Sequence, residues 1–469
     1  MASPARKPAA ERRRRSAKTG SAAQENQPKR SQRDRLLDAM IALTAQAGYQ
    51  HVSIAQVSAR AGVSRATFYE QFTDKEDCLL SAYRAAAERL LSQTSLSAGE
   101  DGDWSQAAGT ALAALARALQ HDPDAGRLLF VEMLAGGPRS KQTRRVVIGA
   151  FEERIQEFLD SAQSGAERMD IPAIGVVGAL RSIVARYLRI HAEDELPMLT
   201  ADGIAWVRSY AVPASRELWS TGPDALLPEA PEPPVLERAG SPPARLPRGR
   251  HGLPAGVIAR SQRTRIINAT AEVMASKGYE NATVTDIVAA AGVSREVFYE
   301  HFSDKQNAFL EAQQHPTQHI LDACASAYFA ARDWPERIWN AFGTLLRLIS
   351  ENRAISHLRL VECYAAGPDA IRRAEEITRS FTIFLEEGYS YSPRAGSLPR
   401  LYSHAIAGAI FEIIQRHVAH EDYAGLVRRL PQLTYMALAP FTGPQEAVRL
   451  VSALKEGGSR EDAAVRALR

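Results

Sequence analysis

A chain of 469 residues is too long for one core and suits two domains of roughly 200 residues each. Its 45% hydrophobic content, with ordinary Gly, Pro and aromatic usage, indicates a globular rather than a fibrous or low-complexity protein. No apolar run approaches the roughly 18 residues of a membrane span, no signal-peptide h-region follows the basic start, and Cys78, Cys324 and Cys363 lack metal-like or disulfide-like spacing, so a reducing cytoplasm and no membrane are expected.

The net charge of +3 is unevenly placed. Residues 1–35 hold eleven Lys or Arg, including Arg12 to Arg15, against three acids. With no apolar run there, residues 1–30 read as a disordered basic arm. A structured segment follows. Ser53 with Gln56 spells a capping box, and Gly62 ends that helix by taking a left-handed conformation. Ser64 then caps the next helix at once. Ala61-Gly62-Val63-Ser64-Arg65 is therefore a tight turn between two short helices, with Val63 plugging the core, as in a DNA-binding helix-turn-helix.

Asp74-Lys75-Glu76-Asp77 opens a longer helix to about Leu91, and helical periodicity recurs at about 104–120, 124–135, 141–162, 172–192 and 200–219. Nothing reads as a strand. Residues 221–255 carry nine prolines in 35 positions and form a partly extended linker. Its end is basic: residues 238–265 contain seven Arg and no acid. Each basic segment precedes a helix-turn-helix, where it can neutralise phosphates or enter a minor groove.

The plan then repeats. Thr283 with Asp286 starts a helix, and Ala291-Gly292-Val293-Ser294-Arg295 is the same turn 230 positions on. Ser31 to Arg84 aligns with Ser261 to Gln314 without gaps at 22 identities in 54 positions. The same offset pairs Glu132 with Glu362 and Gly178 with Gly408, so the whole unit is duplicated.

Gly-Tyr, Ala-Gly-Val-Ser, Phe-Tyr and Phe-x-Asp-Lys in this order resemble the DNA-binding domain of TetR/AcrR-type transcriptional regulators, here twice in one chain. The motifs cover about 50 residues per copy; beyond them the likeness is one of helical layout. Arg245-Leu-Pro-Arg248-Gly-Arg250-His251-Gly-Leu-Pro resembles the lead-in of some actinobacterial members. The resemblance implies an all-α fold of two tandem units: helix-turn-helix domains at 31–80 and 256–310, and helical ligand-binding and dimerisation domains at 81–220 and 311–469.

It also implies dimers built on a four-helix interface, here about 172–219 against 400–440, whose recognition helices meet successive major grooves. Such grooves lie about 34–36 Å apart, and 35 linker residues at about 3 Å each reach on the order of 100 Å. One chain can therefore be its own pseudo-dimer on a non-palindromic site, with a further homodimer also open. The function implied is a ligand-responsive repressor acting on a double-stranded DNA operator through a small-molecule effector. The alternative is a binding or assembly protein whose second head no longer reads DNA. An enzyme is not expected, because no phosphate-cradling Gly loop, metal-spaced His/Cys set or nucleophile elbow occurs, and no cofactor is called for.

By the same resemblance, Ser64, Arg65, Ala66 and Thr67 after the first turn, and Ser294, Arg295, Glu296 and Val297 after the second, face base edges. Tyr69, Tyr299, Lys75 and Lys305 contact phosphate. Arg65 and Arg295 suit bidentate pairing with guanine, Glu296 can accept from a cytosine amino group or repel phosphate, and Val297 can meet a thymine methyl. Phe68, Phe72, Phe298 and Phe302 are expected in the core. For the effector, Trp104, Phe130, Met133 and Phe151, with Tyr328, Trp334, Trp339 and Phe342, are candidates to line cavities or simply to pack. Glu132 and Glu362 interrupt apolar runs at one repeat position; each needs a partner if buried, either a structural cation or a ligand.

Overall fold

The computed structural model describes residues 31–94, 104–132, 138–161, 169–211 and 254–467. The basic arm at 1–30, Met133 and the linker as far as residue 253 lie outside the described residues. In the first half the helices are α1 Gln32–Ala47, α2 Ile54–Ala61, α3 Arg65–Gln71, α4 Lys75–Gln93, α5 Trp104–His121, α6 Pro123–Phe130, α7 Pro138–Ser161, α8 Ala173–Arg189 and α9 Thr200–Arg208. The second half runs α10 Ala255–Lys277, α11 Val284–Ala291, α12 Arg295–His301, α13 Lys305–Phe329, α14 Trp334–Glu351, α15 Arg353–Leu360, α16 Pro368–Ser380, α17 Ile383–Glu386, α18 Gly388–Tyr391, α19 Leu401–Ala419, α20 Tyr423–Arg428, α21 Leu430–Thr442 and α22 Pro444–Ala467.

The chain is all-α: among the described residues the only β feature is an isolated antiparallel bridge between Met169 and Ala211. No described helix is long and apolar enough to cross a membrane.

Local chemistry sets the helix ends. Ser31, Ser53 and Thr283 each make reciprocal capping boxes, the last with Asp286 as the acceptor. Gly62 and Gly292 adopt φ 64° and 63°, the left-handed conformation that ends α2 and α11. The helix expected at 124–135 is shorter than its apolar pattern: Asp122 caps it, Pro123 takes the first position, and it stops at Phe130. The start of the second half differs from the first, since α10 runs 23 residues against 16 for α1.

Each head shares a core with the helices directly behind it, separate from that of the other head. One is built on Leu36, Met40, Val57, Phe68, Phe72 and Leu79, the other on Ile266, Met274, Ile287, Phe298, Phe302 and Phe309. The C-terminal helices of both halves instead share one core, in which Val176, Trp206 and Tyr210 pack with Tyr402, Ile406 and Tyr435.

The halves meet where α8 crosses α19. A Cβ added to Gly178 would lie 2.6 Å from the Gly408 carbonyl oxygen, and one added to Gly408 would lie 2.8 Å from that of Gly178. Two glycines at one repeat position thus let backbone meet backbone. Around them, the Tyr210 hydroxyl donates to the Met436 carbonyl (3.0 Å) and the Tyr435 hydroxyl to the Tyr210 carbonyl (3.3 Å). Arg181 of α8 pairs with Glu412 of α19 at 2.9 Å, with Arg144 of α7 3.8 Å from the same carboxylate. Arg416 forms a two-pronged pair with Glu152 at 2.5–2.6 Å.

Candidate nucleic-acid interface

The two recognition helices are held alike and presented alike. Phe68 and Phe298 are fully buried and pin α3 and α12 to their heads, while the adjacent Tyr69 and Tyr299 are 58% and 54% exposed. In the first head Ser64 Oγ accepts from the Thr67 amide at 3.0 Å and also contacts the Thr67 hydroxyl. In the second, Ser294 Oγ accepts from the Val297 amide at 3.1 Å. Arg65 and Ala66, like Arg295 and Glu296, are exposed at the first turn of each helix, where amides and side chains face outward together. Val63 and Val293 pack behind the turns.

Two details separate the heads. Arg295 donates from Nη2 to Thr285 Oγ1 at 3.1 Å, whereas the corresponding position 55 is alanine, so Arg65 has no such tether. Glu296 places an acid where the first head has a methyl group.

The lysines at the start of α4 and α13 do more inside the fold than the resemblance implies. Lys75 Nζ donates to the carbonyls of Tyr49 (3.1 Å) and Val52 (2.9 Å) and lies 4.2 Å from the Tyr49 ring centre. Lys305 repeats this with Tyr279 (2.7 Å) and Ala282 (3.0 Å), 4.4 Å from the Tyr279 ring. Burial pushes both ammonium groups below the ordinary lysine value. Each lysine ties the connection between the first two helices of its head to the helix that follows the recognition helix, α4 or α13.

Removing it strands carbonyls, at a cost of about 1–3 kcal/mol. Lys75→Ala and Lys305→Ala are therefore expected to lower the thermal midpoint of the free protein. Unchanged melting with weakened DNA binding would instead place both side chains on phosphate alone.

Sequence reasoning missed two supporting arginines. Arg35 Nη1 donates to the Ala61 carbonyl at 2.9 Å, and Arg265 donates to Ala291 and, at 3.1 Å, to Gly292. Both sit in the repeated Ser-Gln-Arg-x-Arg and serve the last carbonyls of α2 and α11. Their identical offset from the turn was the available signal; counted only as basic charge, they looked like part of the arm.

Residues 36–82 and 266–312 each match the sequence profile of the bacterial regulatory proteins of the tetR family. Each half of the chain therefore carries a TetR-type DNA-binding domain. Among curated relatives, the transcriptional activator FasR of Mycolicibacterium smegmatis is 26% identical over 155 residues, 33% of this chain and 59% of that protein. The transcriptional repressor KstR of the same organism is 34% identical over 98 residues, 21% of this chain and 48% of that protein. The chain thus spans about half the length of the curated relatives it matches. Among solved structures, the fatty acid degradation regulator FadR from Bacillus halodurans aligns over 39% of this chain and 97% of its own, at 18% identity and a TM-score of 0.36.

Behind each TetR-type head the C-terminal helices enclose a cavity. The first, about 130 Å³, is lined by Leu112, Phe151, Ile155, Leu180 and Trp206 and is completed by Tyr402 from the other half. The second, about 100 Å³, is lined by Phe342, Ile349, Arg359, Phe381 and Ile410. Leu112, Phe151, Ile155 and Leu180 stand 230 positions before Phe342, Phe381, Leu385 and Ile410, so the cavities occupy equivalent places.

Of the effector candidates, Phe151 and Phe342 face these spaces. Trp104 and Trp339 are buried in the shared core, and Phe130 packs half-buried beside the first head. None of these three lines either cavity.

Glu132 and Glu362 lie outside the cavities as well, at the junctions between heads and bodies. Glu362 accepts from the Tyr279 amide of the second head (2.7 Å), pairs with Lys141 of the first half (3.0 Å) and lies 3.5 Å from His357. Burial opposes its charge, but His357, Lys141 and the Tyr279 amide outweigh that and hold its pKa down at about 2. Glu132 lacks the equivalent cation, because isoleucine stands at position 371, 230 after Lys141. Burial raises its pKa, opposed only by Arg189. One head is clamped by charge and the other is not.

Proposed function

We propose that the chain is a sequence-specific DNA-binding transcriptional regulator whose two TetR-type halves form an intrachain pseudo-dimer, with repression as the expected sign. The observation that carries this reading is the pairing of Gly178 with Gly408 at the α8–α19 crossing. Positions equivalent by the repeat meet one another there, as they do across a two-fold axis. Such a dimer presents two recognition helices to successive major grooves about 34–36 Å apart. The two cavities behind the heads are the places where a small molecule would change the heads' spacing.

Because Arg65 and Arg295 differ in their tethers, and Ala66 and Thr67 are replaced by Glu296 and Val297 at the equivalent positions, the two half-sites should differ in sequence. Arg65→Ala and Arg295→Ala test both heads. Each is expected to relax base choice in its own half-site by about 1–3 kcal/mol, a loss of roughly 5- to 150-fold in discrimination. If Arg295→Ala leaves binding and selectivity untouched, the second head does not read DNA and the chain is a one-headed binder with an assembly domain. Glu296, an acid facing the phosphates, is the residue that favours this second reading.

A further inference from the structure

The cavity of the second half contains a buried charge that the first does not. Arg359 of α15 is 9% exposed and lines an otherwise apolar space. The repeat places Leu129 at the equivalent position, and Leu129 does not line the first cavity. Among the described residues no carboxylate pairs with Arg359; its hydrogen bond runs from Nη2 to Thr317 Oγ1 at 3.1 Å. The other polar side chains at this cavity are already committed: Ser356 donates to the Ile349 carbonyl and Thr378 to that of Ala374.

A guanidinium carries five N–H donors in a planar fork shaped for a carboxylate. Leaving such a charge buried without a counter-ion is costly, and burial pushes Arg359 down to about 10, below the ordinary arginine value. The remaining lining, Phe342, Leu345, Ile349, Phe381, Ile410 and Ile414, offers no second ion but ample apolar contact.

We infer that the second cavity binds an amphipathic anion, a carboxylate on a hydrocarbon body, with Arg359 holding the carboxylate and the apolar walls holding the body. The inference rests on the reading of these cavities as effector sites and assigns the charged effector to one half of the chain. Arg154, the arginine at the first cavity, is only half-buried and remains in reach of water, so that space carries no comparable demand for an anion.

The cavity volume favours a short body, so octanoate is the probe and octan-1-ol its uncharged control. Calorimetric titration of the full chain should give one saturable octanoate site per chain, with octan-1-ol at least tenfold weaker. Arg359→Leu installs the residue that the first half carries at this place. It should weaken octanoate at least tenfold and move octan-1-ol less than threefold, while Arg359→Lys should retain part of the affinity. Melting curves establish that the variants are folded.

Equal binding of octanoate and octan-1-ol, equal binding by wild type and Arg359→Leu, or no saturable octanoate binding by the folded wild type would each overturn the assignment. DNA binding is measured on the same samples. A chain that binds DNA but not octanoate refutes only the ligand class; one that binds octanoate through Arg359 but no DNA refutes only the regulator reading.

Discussion

Glu412→Ala should destabilise the chain by about 3–5 kcal/mol, the largest single effect expected at the contact between the halves. Glu412 is 3% exposed, and the substitution leaves Arg181 and Arg144 buried without their counter-ion. Arg144 has little elsewhere to turn, since its Nη2 is buried without a hydrogen bond and its guanidinium stacks 4.6 Å from the Tyr364 ring centre. The repeat shows how the position can be neutral: Ser182 and Phe411 stand where Glu412 and Arg181 would be if the halves were identical.

Replacing the whole cluster with apolar residues, Arg144→Met and Arg181→Met with Glu412→Leu, should therefore recover most of the lost stability. Denaturant unfolding checks this, and a Glu412→Ala chain within about 0.5 kcal/mol of wild type would contradict it.

Acid should act in the same direction. Burial raises the pKa of Glu412, but Arg181 and Arg144 outweigh it and hold the carboxyl below its ordinary value; Glu362 is held at about 2. Folded-state values lower than unfolded ones mean that both contributions are present above the ordinary glutamate value and are lost as pH falls through the folded-state values, which for Glu362 means toward about 2. The contact between the halves should therefore loosen in acid.

Phe298→Ala should remove the second reading head by unfolding it, at about 3–5 kcal/mol, and Phe68→Ala should do the same to the first. Both rings are fully buried, and each packs against the next phenylalanine, Phe302 or Phe72, at 5.6 Å between ring centres. The two heads belong to separate cores, each extending into the helices behind it, so neither loss should reach the other head. On a two-half-site duplex either variant should fall to the affinity of one head, losing at least a hundredfold. Loss in Phe68→Ala alone would make the second head a structural copy. Hydrogen exchange localises the damage and separates local from global unfolding.

Much of this was legible in the sequence because the signals were local. Ser53, Gly62, Ser64 and their repeats fix helix ends through groups within four residues, and the spacing of Phe68 and Phe72 declares a buried face. The offset of 230 carried the rest, since anything placed in one half is placed in the other. What could not be read depended on which side chains meet across hundreds of residues. The pairing of Lys141 with Glu362, the fork of Arg416 on Glu152 and the burial of Arg359 beside a cavity have no local pattern. The lysines at 75 and 305 were visible as residues, but that their ammonium groups turn inward onto carbonyls follows from the path of residues 49–52 and 279–282.

The central claim, that one chain supplies two different reading heads, is tested most directly by selecting bound sequences from random duplex DNA and measuring the mass of the complex in solution. A single chain on two dissimilar half-sites about one helical turn apart is the predicted result. Two chains on a palindrome would contradict it, because then only one kind of head reads DNA.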